Sequence, residues 1–388
     1  MRDFISSRVR NLEPSPTVGL MSLVKKLKSE GHDIINLAGG EPNFNTPDRI
    51  IEQAYKDMKA GFTSYVQSTG IPALRKKIAE KLKRENNIEV DAEKGIIVTA
   101  SAKLALYISL FTLLEEGDEA LYLEPAYVSY RPMIEMTGAK AVGVPLDYSD
   151  NYKITEEKLL KYVTPKTKIL LICSPNNPTG RVNTEEELEI LVKFAKEHDI
   201  LIFSDEIYER IIFDNNKHIS PASYKEIKDR VITLNGFSKA YAMAGWRLGY
   251  VAAAPELIKE MTKVQQHLIN CATSFVQSAA VVAFDCEDEV LKMASEYETR
   301  RNYFVKALNE IPGVECRYPE GAFYVMVRID YKGMDSFKLS SYILENAKVA
   351  AAPGEAFGRG GEKCIRMPFA TSMENLEEVV KRLKKVIV

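Results

Sequence analysis

The chain has 388 residues, 46% apolar and 27% charged, and its 52 Lys and Arg against 54 Asp and Glu give a formal net charge of −2. That composition excludes a mainly disordered chain, and the even charge argues against a nucleic-acid coat or a polybasic membrane anchor, which need clustered positive charge. No apolar run reaches the roughly 18 residues of a bilayer span, and the scattered five Cys and four His offer no zinc spacing, so no metal, no membrane and free thiols in a reducing cytoplasm are expected.

The first residues lack the apolar stretch of a secretion signal, so secretion is not expected. An arm leads into a short amphipathic helix over 18–31, opened by Ser15-Pro16-Thr17. Gly40-Glu41-Pro42 follows. Helical periodicity then marks 48–61, with Tyr65 just beyond it, and 73–86. A buried strand at 95–100 runs into Ser101-Ala102-Lys103, which opens a helix over 103–117. Unpaired N–H groups at such a start form an anion site, although Ser101 as a plain N-cap explains the residue equally well. Apolar runs at 119–125, 141–146, 168–175, 200–206, 230–236 and 247–253 read as buried strands of a mostly parallel sheet. Tyr127, just after the first of these runs, is by itself ordinary packing or an aromatic platform.

The strand at 168–175 ends in Asn176-Asn177-Pro178-Thr179-Gly180, a tight turn in which Pro178 restricts Asn177 and is a candidate for a cis bond. Helix 184–198 begins with a Thr-x-x-Glu capping box. Asp205 closes a core strand at the edge where open α/β sheets bind ligands, with Tyr208 three residues on; the carboxylate is either a cap or the partner of a buried cation. The strand at 230–236 feeds a turn with Ser238 and Lys239. That lysine is either a solvated loop residue or, if desolvated, an amine nucleophile for carbonyl chemistry. Arg247 follows in Gly-Trp-Arg-x-Gly and suits a phosphate. Residues 255–309 are long and helical, 321–329 resumes strand character, and 374–388 closes with a helix. Arg366, set among apolar neighbours, requires an anion, either a structural carboxylate or one on a substrate. The order predicts an α/β fold: a large domain with a mostly parallel sheet flanked by helices, plus a smaller α+β domain built from both chain ends. The expected boundaries are 1–45 for the arm and part of the small domain, 46–284 for the large domain and 285–388 for the rest of the small one.

Taken together, Gly40-Glu41-Pro42, Asn177-Pro178-Thr179-Gly180, Asp205-x-x-Tyr208, Ser238-Lys239, Gly245-Trp246-Arg247 and Arg366 resemble, over nearly the whole chain, the pyridoxal 5′-phosphate-dependent aminotransferases of class I and II, fold type I, in their aspartate and aromatic branch. The resemblance implies that Lys239 bonds the cofactor and shuttles the substrate Cα proton, and that Asp205 pairs with the ring nitrogen so that the ring accepts electrons. It implies that Tyr208 and Asn177 bond the ring 3-oxygen, that Tyr127 stacks on the ring, and that Arg247, Ser238 and the Ser101-Ala102-Lys103 turn hold the phosphate. Tyr65 would reach the phosphate of a second subunit, making a homodimer with shared sites. Arg366 and the Gly40 backbone would hold the substrate α-carboxylate. One departure is Gly236, where family members often carry Ser.

Relatives with Lys at the position of Lys103 hold a distal carboxylate with it, and Thr17 matches a threonine that closes over that group. The expected reaction is therefore ping-pong transfer from an L-amino acid, aspartate above others, to 2-oxoglutarate, with amino and 2-oxo acids as substrates and no nucleic acid or membrane as partner. Aromatic or broad-specificity transfer and a lyase on the same fold are the rivals. A cofactor-sensing module of a transcription regulator would need a DNA-binding domain ahead of the first motif.

Overall fold

The structure is a computed structural model that describes residues 4–10 and 12–387. The described chain forms β1 (Ile35–Leu37), β2 (Ile96–Thr99), β3 (Glu119–Glu124), β4 (Lys140–Pro145), β5 (Thr167–Cys173), β6 (Leu201–Asp205), β7 (Val231–Gly236), β8 (Gly249–Ala252), β9 (Val314–Cys316), β10 (Tyr324–Ile329), β11 (Val349–Pro353) and β12 (Cys364–Pro368). Seven of these make one sheet in the order β2-β8-β7-β6-β5-β3-β4. All its pairings are parallel except those of β8, which runs antiparallel to β2 and β7. The alternation of side chains along each strand explains its continuous apolar runs. Leu170 and Ile172 enter the core on one face, Ile169 and Leu171 the core on the other, and helices cover both.

The second sheet has the order β1-β11-β12-β10-β9. Here the two ends of the chain meet: β1 pairs with β11 in parallel, Ile35 opposite Val349. This sheet carries its own core, from Val325, Val327 and Ile329 to Leu376 and Val379 of the last helix, Met373–Val386.

The helical expectations hold with shifts at the ends. The first amphipathic helix is Pro16–Ser29, with Ser15 as N-cap residue, although the Ser15 hydroxyl lies 3.2 Å from that of Thr17 and caps no backbone N–H. The capping box of Glu185–Glu197 is present in both halves. The long region 255–309 is three helices, Pro255–Leu268, Ser274–Ala283 and Glu287–Asn309, the first break falling at Asn270 in the left-handed region. One expectation is corrected. The cis bonds are Glu124–Pro125 and Ser174–Pro175, not Asn177–Pro178. The turn closes instead by the Gly180 N–H on the Asn176 carbonyl and the Thr179 N–H on the Asn176 side chain, with Gly180 at φ +71°.

The parallel strands β5, β6 and β7 deliver their following loops to one edge of the large sheet, where Ala38 just after β1, Tyr324 of β10 and Arg366 of β12 line the same cavity. All five cysteines are free. No helix among the described residues is long and apolar enough to cross a membrane.

Candidate active site

A cavity of about 310 Å³ opens at that edge. Its floor is Asp205, the last residue of β6. The carboxylate is 7% exposed, accepts the Tyr130 hydroxyl at 2.7 Å and the Ile207 N–H at 3.2 Å, and makes no ion pair among the described residues. Burial pushes its pKa up to about 6, against the pull of those two hydrogen bonds. No helix starts here, so the carboxylate caps only a turn, and it is buried without a cation.

Lys239 stands across the cavity, in the turn after β7. Its amine donates to the Gly40 carbonyl and sits 5.7 Å and 5.6 Å from the ring centres of Tyr208 and Phe323. Desolvation lowers its pKa to about 8, aided by the positive charges of Arg366 and Arg247 and opposed by Glu41 and Asp205. A fraction of neutral amine is therefore present near neutral pH, the form that attacks a carbonyl. Of the two sequence alternatives for this lysine, its place in the cavity and its carbonyl partner favour the desolvated one.

One end of the cavity is built for an anion. Ala102 and Lys103 line it with the start of helix Ala102–Leu113, whose first N–H groups have no partner within the helix. Ser101, just outside the lining, holds φ +113°, a costly conformation for a side chain, and accepts the Leu104 N–H on its hydroxyl. Gly249 lets β8 approach this turn, because a Cβ there would collide with the Ala102 backbone nitrogen. Ser238 and Arg247 complete this end; Arg247, at φ +56°, donates to the Ala244 carbonyl at 2.7 Å. A side chain at Gly236 would press on the Leu248 carbonyl at 3.0 Å.

The opposite end carries Arg366, on β12 and 3% exposed. It donates to the carbonyls of Ala38 at 2.6 Å and Gly39 at 3.0 Å and to the Asn177 side chain at 3.3 Å, and its Nε has no partner. No carboxylate pairs with it among the described residues. Tyr324 and Phe357 flank the guanidinium at 4.6 Å and 4.9 Å. A buried cation with carbonyl partners, an orphaned donor and an open cavity calls for an anion from outside the chain. Of the two anions the sequence left open for Arg366, no structural carboxylate is found among the described residues.

Among the remaining expected residues, Tyr208, Asn177, Tyr127, Gly40 and Thr17 line the cavity, and Lys103 places its ammonium 5.5 Å from the Tyr127 ring centre. Tyr65 does not line it; it lies outside, 82% exposed. Sequence reasoning missed Tyr130, which packs edge-on to Tyr127 at 5.5 Å while bonding Asp205. The signal was its three-residue spacing from Tyr127, which puts two aromatics on one side of a turn. It also missed Tyr324, whose hydroxyl is 2.9 Å from that of Tyr208.

These features fit pyridoxal phosphate: an amine for its aldehyde, a buried carboxylate lacking a cation for its ring nitrogen, and an N–H and Arg cradle for its phosphate. Residues 32–383 match the family described as aminotransferase class I and II. The chain is 43% identical to an aspartate aminotransferase of Musicola paradisiaca, over 99% of this chain and 96% of that one. It is 40% identical to aromatic-amino-acid aminotransferase 2 of Thermococcus litoralis, over 99% and 98%. The solved aspartate aminotransferase of Thermus thermophilus with maleate superposes with a TM-score of 0.94 at 36% identity, covering both chains fully.

Proposed function

Because the chain belongs to the class I and II aminotransferases, pyridoxal-phosphate enzymes of fold type I, we propose that this one takes aspartate as amino donor and 2-oxoglutarate as acceptor in a ping-pong cycle. When bound, the cofactor supplies an aldehyde that takes up the amino group and a ring that draws off the electron pair left by the departing Cα proton. The rest falls to the chain. Arg247, Ser238 and the Ser101-Ala102-Lys103 turn hold the phosphate, and Tyr127 packs on the ring. The Asp205 carboxylate, held by Tyr130, keeps a proton on the ring nitrogen. Tyr208 and Asn177 donate to the ring 3-oxygen. Arg366, beside the Gly40 backbone, grips the substrate α-carboxylate, and Lys239, partly neutral in its desolvated place, carries the proton to and from Cα.

One observation carries the choice of aspartate. Lys103 lines the cavity, as Thr17 does, and has no carboxylate partner among the described residues, so a second anion on the substrate would find a cation opposite Arg366. The names of the Musicola and Thermus relatives point the same way. The aromatic reading draws on the Tyr127, Tyr130 and Tyr324 walls and on the Thermococcus relative. A donor panel separates them: Lys103→Ala should cut kcat/KM for aspartate by about tenfold or more while changing aromatic donors little. An unchanged value for aspartate would remove the assignment.

The same reading makes the enzyme a cytoplasmic homodimer. The exposure of Tyr65, together with exposed Ile51, Tyr55 and Met58 on one helix, Asp48–Lys59, supports a second subunit over this face. It also divides the chain at 46 and 285, a division supported by the separate sheets and by the β1–β11 pairing that joins the two ends.

A further inference from the structure

Four contacts converge on Tyr324, at the start of β10. Its hydroxyl lies 2.9 Å from that of Tyr208, and either can donate. Its ring lies 4.6 Å from the Arg366 guanidinium carbon and 4.7 Å from the Phe323 ring centre. Its hydroxyl also fills the space that a side chain at Gly40 would need, at 2.5 Å from where the Cβ would be. The residue is 1% exposed, so packing fixes the ring and no bulk water competes for the hydroxyl.

Each of these two phenols has one proton. If Tyr208 gives its proton to Tyr324, it has none for a ligand. If Tyr324 donates, the Tyr208 proton is free to point into the cavity, and its oxygen is polarised to donate more strongly. A ligand oxygen bearing negative charge, as on the cofactor ring, selects the second arrangement.

We propose that Tyr324 is a positioning residue for amino transfer, which donates to Tyr208 and thereby turns the Tyr208 hydroxyl toward the 3-oxygen of the cofactor ring. This rests on the function proposed above. Its consequence is a lower proton affinity of the lysine–cofactor linkage, because a hydrogen bond to the charged ring oxygen favours the deprotonated linkage.

The test is a pH titration of the visible absorbance of protein loaded with pyridoxal phosphate, in wild type, Tyr324→Phe, Tyr208→Phe and the double variant, with maleate binding as a check that the site is intact. Tyr324→Phe keeps the ring, so maleate binding should change little. The absorbance midpoint should rise by about half to one pH unit, the worth of one neutral hydrogen bond. Tyr208→Phe should raise it at least as far, and adding Tyr324→Phe to it should give no further rise. An unchanged midpoint in Tyr324→Phe, or the same rise in the Tyr208→Phe background, overturns the proposal while leaving the proposed function standing. Wild type without a lysine-bound absorbance overturns both.

Discussion

The carboxylate at Asp205 is costly to the fold it sits in, and replacing it separates stability from catalysis. Burial lifts its pKa from 3.8 to about 6. The folded value lies above the unfolded one, so folding favours the protonated form. The resulting penalty is absent below the unfolded value, grows as the pH rises between the two, and is complete above the folded value. Two pH units at about 1.4 kcal/mol each make that penalty about 3 kcal/mol at neutral pH, in the protein without cofactor. Asp205→Asn has the same shape and still accepts the Tyr130 hydroxyl. Cofactor-free Asp205→Asn should therefore be more stable than wild type by up to about 3 kcal/mol at about pH 7.5, with the gain shrinking to about 1 kcal/mol at about pH 4.5. Denaturant unfolding followed by circular dichroism at both pH values measures the difference. The loaded variant should retain cofactor yet lose about a hundredfold or more in kcat, since nothing then holds the ring-nitrogen proton. A variant that is equally destabilised at both pH values, or near-normal turnover, would refute the reasoning.

Arg366→Lys keeps the charge and loses the two-pronged grip, so kcat/KM for every amino donor should fall by roughly ten- to a hundredfold, measured by steady-state kinetics, with the fall concentrated in KM. Gly249→Ala drives a methyl group into the Ala102 backbone nitrogen and should lower stability by about 1–3 kcal/mol and weaken cofactor binding together, read by thermal unfolding and by cofactor titration.

Asp205 and Lys239 were legible in the sequence because the continuous apolar runs of β6 and β7 mark buried strands, the first ending at Asp205 and the second three residues before Lys239. Arg366 was legible only as a question. Whether an acidic side chain from elsewhere in the chain meets it depends on tertiary approach, and only the fold shows carbonyls of residues 38 and 39 in that place. Tyr130 shows its spacing in the sequence but not its partner, which lies 75 residues away. The isomer of Asn177–Pro178 was open because proline chemistry permits both, and the surrounding turn bonds decide it. Strands β1 and β9 are three residues each, too short for alternation to register, and β1 depends on β11 at the far end of the chain. Tyr65 was expected to meet a second subunit, and within this chain its surroundings show only that it is exposed.

The most direct test of the account asks where the cofactor is attached. Protein loaded with pyridoxal phosphate is reduced with borohydride to fix the lysine–cofactor bond, digested, and the tagged peptide sequenced by mass spectrometry. The account predicts the tag on Lys239 and its loss in Lys239→Ala; a tag on any other lysine, or none in the wild type, would contradict it.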